Sequence, residues 1–189
     1  MLVLIVKAGL ALSDRGKHMY KRNRLSPNEI IIHGDYAEVL LYNTYGLEIS
    51  RTMIDLDDIN NIIGYKWHRN NNCYCGANHN ILMHRIIMNV KNNEYIDHIN
   101  GNKLDNRKQN LRICTNQENN FNKGLYSHNT SGVSGVSWDK SRNKWEASIK
   151  INRKKIHLGR FENFNEAVNK RKEAEEVYFG EFAYKQNII

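Results

Sequence analysis

DHINGNKLDNRKQNLRICTNQENNFN, residues 97–122, sets a carboxylate beside a histidine and strings asparagines downstream of both. Tyr95 and Ile96 lead into Asp97 as a short apolar strand, and the glycine- and asparagine-rich INGNKLDN that follows has the composition of a compact loop. Leu111 to Cys114 alternate apolar and polar types as a second short strand does. Thr115 with Glu118 three residues on reads as a capping box opening a helix that carries Asn119, Asn120 and Asn122. Such a strand, loop, strand and helix can bring the end of the first strand beside the first turn of the helix. Asp97 and Asn119 could then touch one hard cation, with His98 near enough to take a proton from water. Those are the groups that phosphodiester hydrolysis needs: a base, a cation to neutralise phosphoryl oxygens, and oxygen ligands to hold it.

Asp97, His98, Asn110 and Asn119 resemble the HNH motif of ββα-metal nucleases, in the form carried by phage and intron homing endonucleases. The likeness runs over roughly forty positions and begins at Met83-His84-Arg85-Ile86, similar to the helix that precedes the motif in those enzymes. The resemblance implies that Asp97 and Asn119 bind one divalent ion, that His98 is the general base and that Asn110 orients it. Asparagine as the final ligand favours Mg²⁺, or Mn²⁺, over zinc. His84 reads as a core or interface histidine, and Arg107 and Arg112 as general backbone contacts to phosphate.

The second informative stretch is SGVSGVSWDKSRNKWEASIKINRKKIHLGRFENFNEAVNKRKEAEEVYFGEF. Gly135–Trp138, Lys144–Ile151 and Lys155–Phe161 read as three strands, and a helix is expected from about Glu166 to Phe179, capped by Asn165 and stopped by Gly180. In the middle strand Trp145, Ala147, Ile149 and Ile151 share one face, and Glu146, Ser148 and Lys150 share the other. Trp138 and Trp145 are expected in the core. Between Lys140 and Arg160 stand eight Lys or Arg residues and one acid, Glu146, so the polar face concentrates positive charge of the kind that enters a DNA major groove. GVSGVSW, KWEASI, IHLGRF and the helix after NFNEA resemble the Apetala-2 (ethylene-response-factor) type DNA-binding domain. By that resemblance the DNA-facing positions are Ser137, Arg142, Lys144, Glu146, Ser148, Lys150, Lys155 and His157.

Residues 26–82 are net acidic, an unsuitable DNA clamp, and hold strand-like runs at Glu29–Tyr45 and Ile49–Met53. Asp55, Asp57 and Asp58 lack the glycine and terminal glutamate of a calcium loop and read as a helix start. Cys73, Cys75 and Cys114 cannot build a disulfide framework, and CYC with His79 nearby falls short of two CxxC pairs, so they read as three ordinary thiols in a reduced compartment. The apolar run MLVLIVKAGLAL is interrupted by Lys7 and too short to span a bilayer. A net charge of +8 and a pI near 9.4 suit a polyanionic partner. No RNA-recognition signature is visible.

The expectation is an α+β chain: a basic, disordered tail at 1–25, its first eighteen residues dispensable; a nuclease domain at 26–126, with a small β-rich segment before a ββα-metal core at about 83–126; and at 127–189 a three-stranded antiparallel sheet with one packed helix. The expected activity is metal-dependent cleavage of double-stranded DNA, as nicks by a monomer, in the cytoplasm of a bacterium or phage-infected host, with no membrane or small-molecule substrate. The alternative is a sequence-specific DNA-binding regulator whose nuclease module is inactive.

Overall fold

The computed structural model describes the backbone of residues 4–6, and residues 27–91, 93–122, 125 and 129–183. The chain divides into two compact units, Met1–Ile113 and Cys114–Ile189.

The first unit opens with β1 (Leu4–Val6), β2 (Ile30–His33), β3 (Tyr36–Tyr42) and β4 (Glu48–Asp55), an antiparallel sheet in sequence order. Part of the expected disordered tail is therefore a strand: Leu4, Ile5 and Val6 pair with Ile32, Ile31 and Ile30. An apolar, β-branched run satisfies its backbone by adding to an exposed edge; residues 7–26 lie outside the described part. Ala37, Val39 and Leu41 alternate on β3 and are buried with Ile54 of β4, the period of a sheet with one face in the core. Asn28 ties this sheet to the next segment. Its Nδ2 donates to Leu40 O at 2.7 Å and Trp67 O at 3.0 Å, and its Oδ1 accepts from Trp67 N at 2.8 Å, so the buried amide is satisfied on both sides. Asp57 and Asp58 fall in the first turn after β4, as the helix-start reading expects, and α1 (Ile59–Ile62) follows.

A small antiparallel sheet of β5 (His68–Arg69), β6 (Cys75–Ala77) and β7 (Ile81–Leu82) leads into α2 (Met83–Met88), which ends where Asn89 turns left-handed at φ 47°. Then β8 (Tyr95–His98) and β9 (Leu111–Cys114) form a two-stranded sheet. Ile96 and Leu111 send their side chains into the same core as Ile54, Trp67, Met83 and Ile87. The loop joining β8 to β9 is clasped from outside. Met53 N donates to Leu104 O and Asn106 N to Met53 O, both at 2.8 Å, so β4 holds residues 104–106 as a one-residue parallel bridge.

In the second unit α3 (Asn116–Phe121) precedes the antiparallel sheet of β10 (Val136–Asp139), β11 (Lys144–Ile151) and β12 (Lys154–Phe161), and α4 (Phe164–Phe179) packs on it. Asn163, not Asn165, caps α4; its side chain accepts from Asn165 N, and Gly180 ends the helix as expected. Ala147, Ile149, Ala167 and Ala174 form the buried interface. Trp145 packs against it, whereas Trp138, expected in the core, is 41% exposed and lies T-shaped to Trp145, ring centroids 5.1 Å apart. Phe121 of α3 stacks on Phe179 at 3.9 Å, which draws α3 into this unit and sets the division earlier in the chain than the expected boundary at 126/127. Among the described residues no helix is long and apolar enough to cross a membrane.

Three substitutions test this packing. Gly135 sits at φ +74°, accepts from Ser148 N at 2.8 Å, and a Cβ there would lie 2.3 Å from Ser148 O. Gly135→Ala is expected to destabilise the chain by on the order of 1–3 kcal/mol in urea titration. Gly132→Ala, at φ +76° with nothing within 4 Å of the new methyl, is expected to cost less. His84 is buried on α2 with its ring edge-on to His98, centroids 5.1 Å apart. Burial, with smaller effects of His98 and Arg85, lowers it from 6.5 to about 3. Between those values the unfolded chain binds a proton at this site that the folded chain refuses. Its stabilising effect is full above pH 6.5 and is lost as pH falls, by about 1.4 kcal/mol per unit at the steepest. His84→Phe is expected to lessen the loss of stability between pH 6.5 and 5, measured by urea titration at both pH values.

Candidate active site and nucleic-acid interface

Asp97 and His98 end β8, and both are buried. The loop after them closes through its own side chains. Asn100 Oδ1 accepts from Asn102 N at 2.8 Å and Asn102 Oδ1 from Leu104 N at 3.1 Å, successive turns that explain the asparagine-rich composition. Asn110 crosses the loop: its Oδ1 accepts from Asn100 N at 2.9 Å and its Nδ2 donates to Asp105 O at 2.8 Å. Arg107 grips buried Asp105 through Nε and Nη2, each at 2.8 Å. Burial alone would raise the Asp105 carboxyl, but the Arg107 bonds and charge, with Asn100, outweigh it and hold the group below its ordinary value. Lys108 N donates to Asp55 Oδ2 and Lys108 Nζ meets buried Asp58 at 2.9 Å, so the acids read as a helix start also anchor the loop exit.

The amide that meets the His98 ring is Asn106, not Asn110: His98 Nε2 lies 3.2 Å from Asn106 Oδ1. Asn110 is committed on both sides to the loop backbone, so its contribution to His98 runs through the shape of the loop. Tyr74 and His84 flank His98, with ring centroids 5.8 Å and 5.1 Å away. Burial pushes the imidazole below its ordinary value, against the opposing pull of Asn106 and Asp97, so it is neutral at pH 7 and able to accept a proton. Lys103 Nζ stands 4.5 Å from the centroid of Tyr74, which places a cation beside this group of rings.

Asp97 Oδ2 takes two bonds from Arg112, Nη2 at 2.6 Å and Nε at 2.9 Å, so Arg112 is a partner of the expected ligand instead of a general phosphate contact. A carboxylate offers about four lone-pair sites on two oxygens, so Arg112 and a hard cation can share Asp97. Asn119 lies on α3, in the second unit, behind the expected capping box: Thr115 N donates to Glu118 Oε2 at 2.7 Å and Glu118 N to Thr115 Oγ1 at 3.2 Å. Asp97, His98 and Asn110 thus gather in the first unit, while Asn119 belongs to the second. A carboxylate such as Asp97 is a hard oxygen ligand of the kind Mg²⁺ or Mn²⁺ takes while keeping several waters. Among the described residues no three His, Cys, Asp or Glu side chains cluster for a metal. Burial raises the Cys75 thiol far above its ordinary value, which makes it a poor thiolate ligand.

The polar face of the second unit's sheet gathers the other expected residues. Ser137 pairs with Glu146 and Glu146 with Arg160, while Ser148 pairs with His157 and Lys150 with Lys155. Glu146 is the hub. Lys155 Nζ lies 2.8 Å and His157 Nδ1 3.5 Å from its Oε1, and Arg160 Nη2 3.7 Å from its Oε2; the Lys155 bond first, with these charges, holds its carboxyl below the ordinary value. Asp139 binds Arg142 at 3.2 Å and Arg160 at 3.1 Å, and Lys144 meets Glu162 at 3.5 Å. Acids flanking the basic segment therefore offset part of the charge counted from the sequence. Ser148, half-buried, turns its hydroxyl toward Gly135 O at 3.5 Å. Arg160 was not expected here. Strict alternation places it opposite Lys155 and His157, but a bulge at Ala147/Ser148, with Gly159 at φ +139°, shifts the register and brings it onto their face.

Residues 82–121 match the family described as HNH endonuclease, a span that includes α2, β8, β9 and α3. Protein 3.8 of Escherichia phage T7 is 44% identical over 55 residues, 29% of this chain and 46% of that protein. An uncharacterized HNH endonuclease of Acanthamoeba polyphaga mimivirus is 37% identical over 89 residues, 47% of this chain and 45% of that protein. The chain spans about half the length of the curated relatives it matches. No solved structure matches it. The segment that carries the family likeness holds Asp97, His98, Asn106, Asn110, Arg112 and Asn119.

Proposed function

We propose that the chain is a metal-dependent endonuclease of the HNH homing type that hydrolyses phosphodiester bonds in double-stranded DNA, with its C-terminal sheet, Apetala-2-like, holding the duplex. The carrying observation is a buried, neutral imidazole, His98, next to a carboxylate in the segment with the HNH likeness. Neutral His98 takes the proton from the attacking water. Asp97, with Asn119, holds a divalent cation, Mg²⁺ or Mn²⁺, whose positive charge offsets the charge that develops on the scissile phosphate. Asn110 keeps the loop closed around them. One active site per chain cuts one strand, so a monomer nicks. Residues 26–126 supply the chemistry and 127–189 the grip, through Ser137, Arg142, Lys144, Glu146, Ser148, Lys150, Lys155, His157 and Arg160.

One observation favours a second reading, a sequence-specific DNA-binding regulator with an inactive nuclease module: Arg112 already neutralises Asp97. The two separate on supercoiled plasmid. The nuclease reading expects open-circular product with Mg²⁺ and none with EDTA, and no product under either condition leaves the regulator. His98→Ala is expected to lower cleavage by about two orders of magnitude or more while duplex binding persists; near-wild-type cutting removes the mechanism. With that variant, binding to duplex is expected to weaken by ~10³ between 50 and 200 mM salt if about six phosphates are neutralised, as read by fluorescence anisotropy.

A further inference from the structure

We infer that Asn106, held by Thr52 of β4, is a positioning residue that decides which nitrogen of His98 is the base: the proton sits on Nε2 and the lone pair on Nδ1. The inference rests on the nuclease reading for its consequence but not for its geometry. Three short contacts form a line through the first unit. Thr52 Oγ1 lies 2.8 Å from Leu104 O, Asn106 Nδ2 lies 2.7 Å from Thr52 Oγ1, and Asn106 Oδ1 lies 3.2 Å from His98 Nε2. A carbonyl oxygen can only accept, so the single hydroxyl proton of Thr52 goes to Leu104 O. Met83 Sδ, 4.0 Å from the same hydroxyl, is too far and too weak an acceptor to compete. Thr52 Oγ1 must then accept from Asn106, which assigns that atom as Nδ2 and turns Oδ1 toward the histidine. An amide oxygen also only accepts, so Nε2 carries the hydrogen and, in the neutral ring, Nδ1 is the basic atom.

Flipping the Asn106 amide fails on the same distances. It would face Thr52 with an oxygen, draw the hydroxyl proton away from Leu104 O, and leave those two oxygens 2.8 Å apart with no hydrogen between them. Thr52 and Asn106 are fully buried, so solvent does not readily substitute for either partner. The clasp of Met53 on Leu104 and Asn106 fixes the backbone that carries the amide. Asn110, the other candidate for orienting His98, has both its amide groups committed to Asn100 N and Asp105 O.

The test is the tautomer itself, read from long-range ¹H–¹⁵N correlations of the His98 ring in the full-length chain at a pH where it is neutral. The expected pattern has a pyrrole-type Nε2 and a pyridine-type Nδ1; the reverse pattern in the wild type overturns the inference. Thr52→Val removes the oxygen that orients Asn106 and is expected to give a mixture of tautomers, with kcat for plasmid nicking reduced roughly tenfold or more and KM little changed. Thr52→Ser keeps the oxygen and is expected to restore both the single tautomer and kcat, which a loss of packing alone would not do. Thr52→Val with one unchanged Nε2–H tautomer also overturns the inference. An Nε2–H ring in a chain that cuts no DNA supports the assignment and removes the nuclease reading instead.

Discussion

The two main-chain hydrogen bonds between Met53 and the loop residues Leu104 and Asn106 are the constraint on which the first unit's site depends. A two-stranded sheet is marginal by itself in water, and β8 and β9 are joined by a loop rich in residues with weak preference for any one backbone shape. Left alone, such a loop would exchange among turns. The clasp fixes residues 104–106 against β4, a strand whose other neighbour, β3, is buried on one face at Ala37, Val39 and Leu41. The rigidity of a hydrophobic sheet is thereby passed to a polar loop through backbone groups, whatever side chains occupy 104 and 105. The N-terminal sheet is for this reason part of the site's architecture. It also supplies the Thr52 hydroxyl from the same strand.

Around that clasp the unit buries an unusual set of polar groups: Thr52, Asp58, His84, Asp97, His98, Asp105, Asn106 and Asn110. Most are matched. Asp105 has Arg107, Asp97 has Arg112, Asp58 has Lys108, Asn110 bonds main chain on both sides, and Asn106 meets Thr52 and His98. Buried ion pairs of this kind add little net stability, because desolvation takes back what attraction gives; losing one partner is far more damaging than never having had the pair. Their effect is to make one arrangement of the loop much better than its rivals. His84 is the exception: its Nδ1 is buried without a hydrogen-bond partner among the described residues, and its ring instead packs edge-on against His98. An unsatisfied nitrogen there costs stability, and holding His98 from the side is the compensation visible in the structure.

Signals confined to one turn or one strand are the more legible part of this sequence. The capping box of Thr115 and Glu118 forms because both groups lie within one helical turn, and the alternation of β11 puts Ala147 and Ile149 in the core because a strand's period is fixed by its backbone. The resemblance assigns the orienting role to Asn110, whereas Asn106 is the residue that meets the ring. Only β4, far upstream, separates their roles. The strand at Leu4–Val6 was missed because an apolar run announces a partner without saying which edge it joins. Phe121 reads as one more helical residue until Phe179, at the far end of α4, is seen stacked on it. These features depend on contacts between residues far apart in the chain, which single-sequence periodicity does not carry; the shift of the α4 cap from Asn165 to Asn163 is a local difference of two residues.

The sheet of the second unit makes the same point with charge. A strand of lysines and arginines counted from the sequence suggests a uniform positive surface, yet Glu146 and Asp139 organise it into two clusters that share Arg160. Long basic side chains lose rotamer freedom when they engage a polyanion, and that loss opposes binding. Lys155, His157 and Arg160 are drawn toward one carboxylate before any partner arrives, so part of the ordering is already done. The same carboxylate repels phosphate, which weakens indiscriminate attraction. The face carries a fixed pattern of donors with one acceptor at its centre. That pattern depends on the bulge at Gly159: without the extra residue, Arg160 would turn to the opposite face and Glu146 would lose that basic partner.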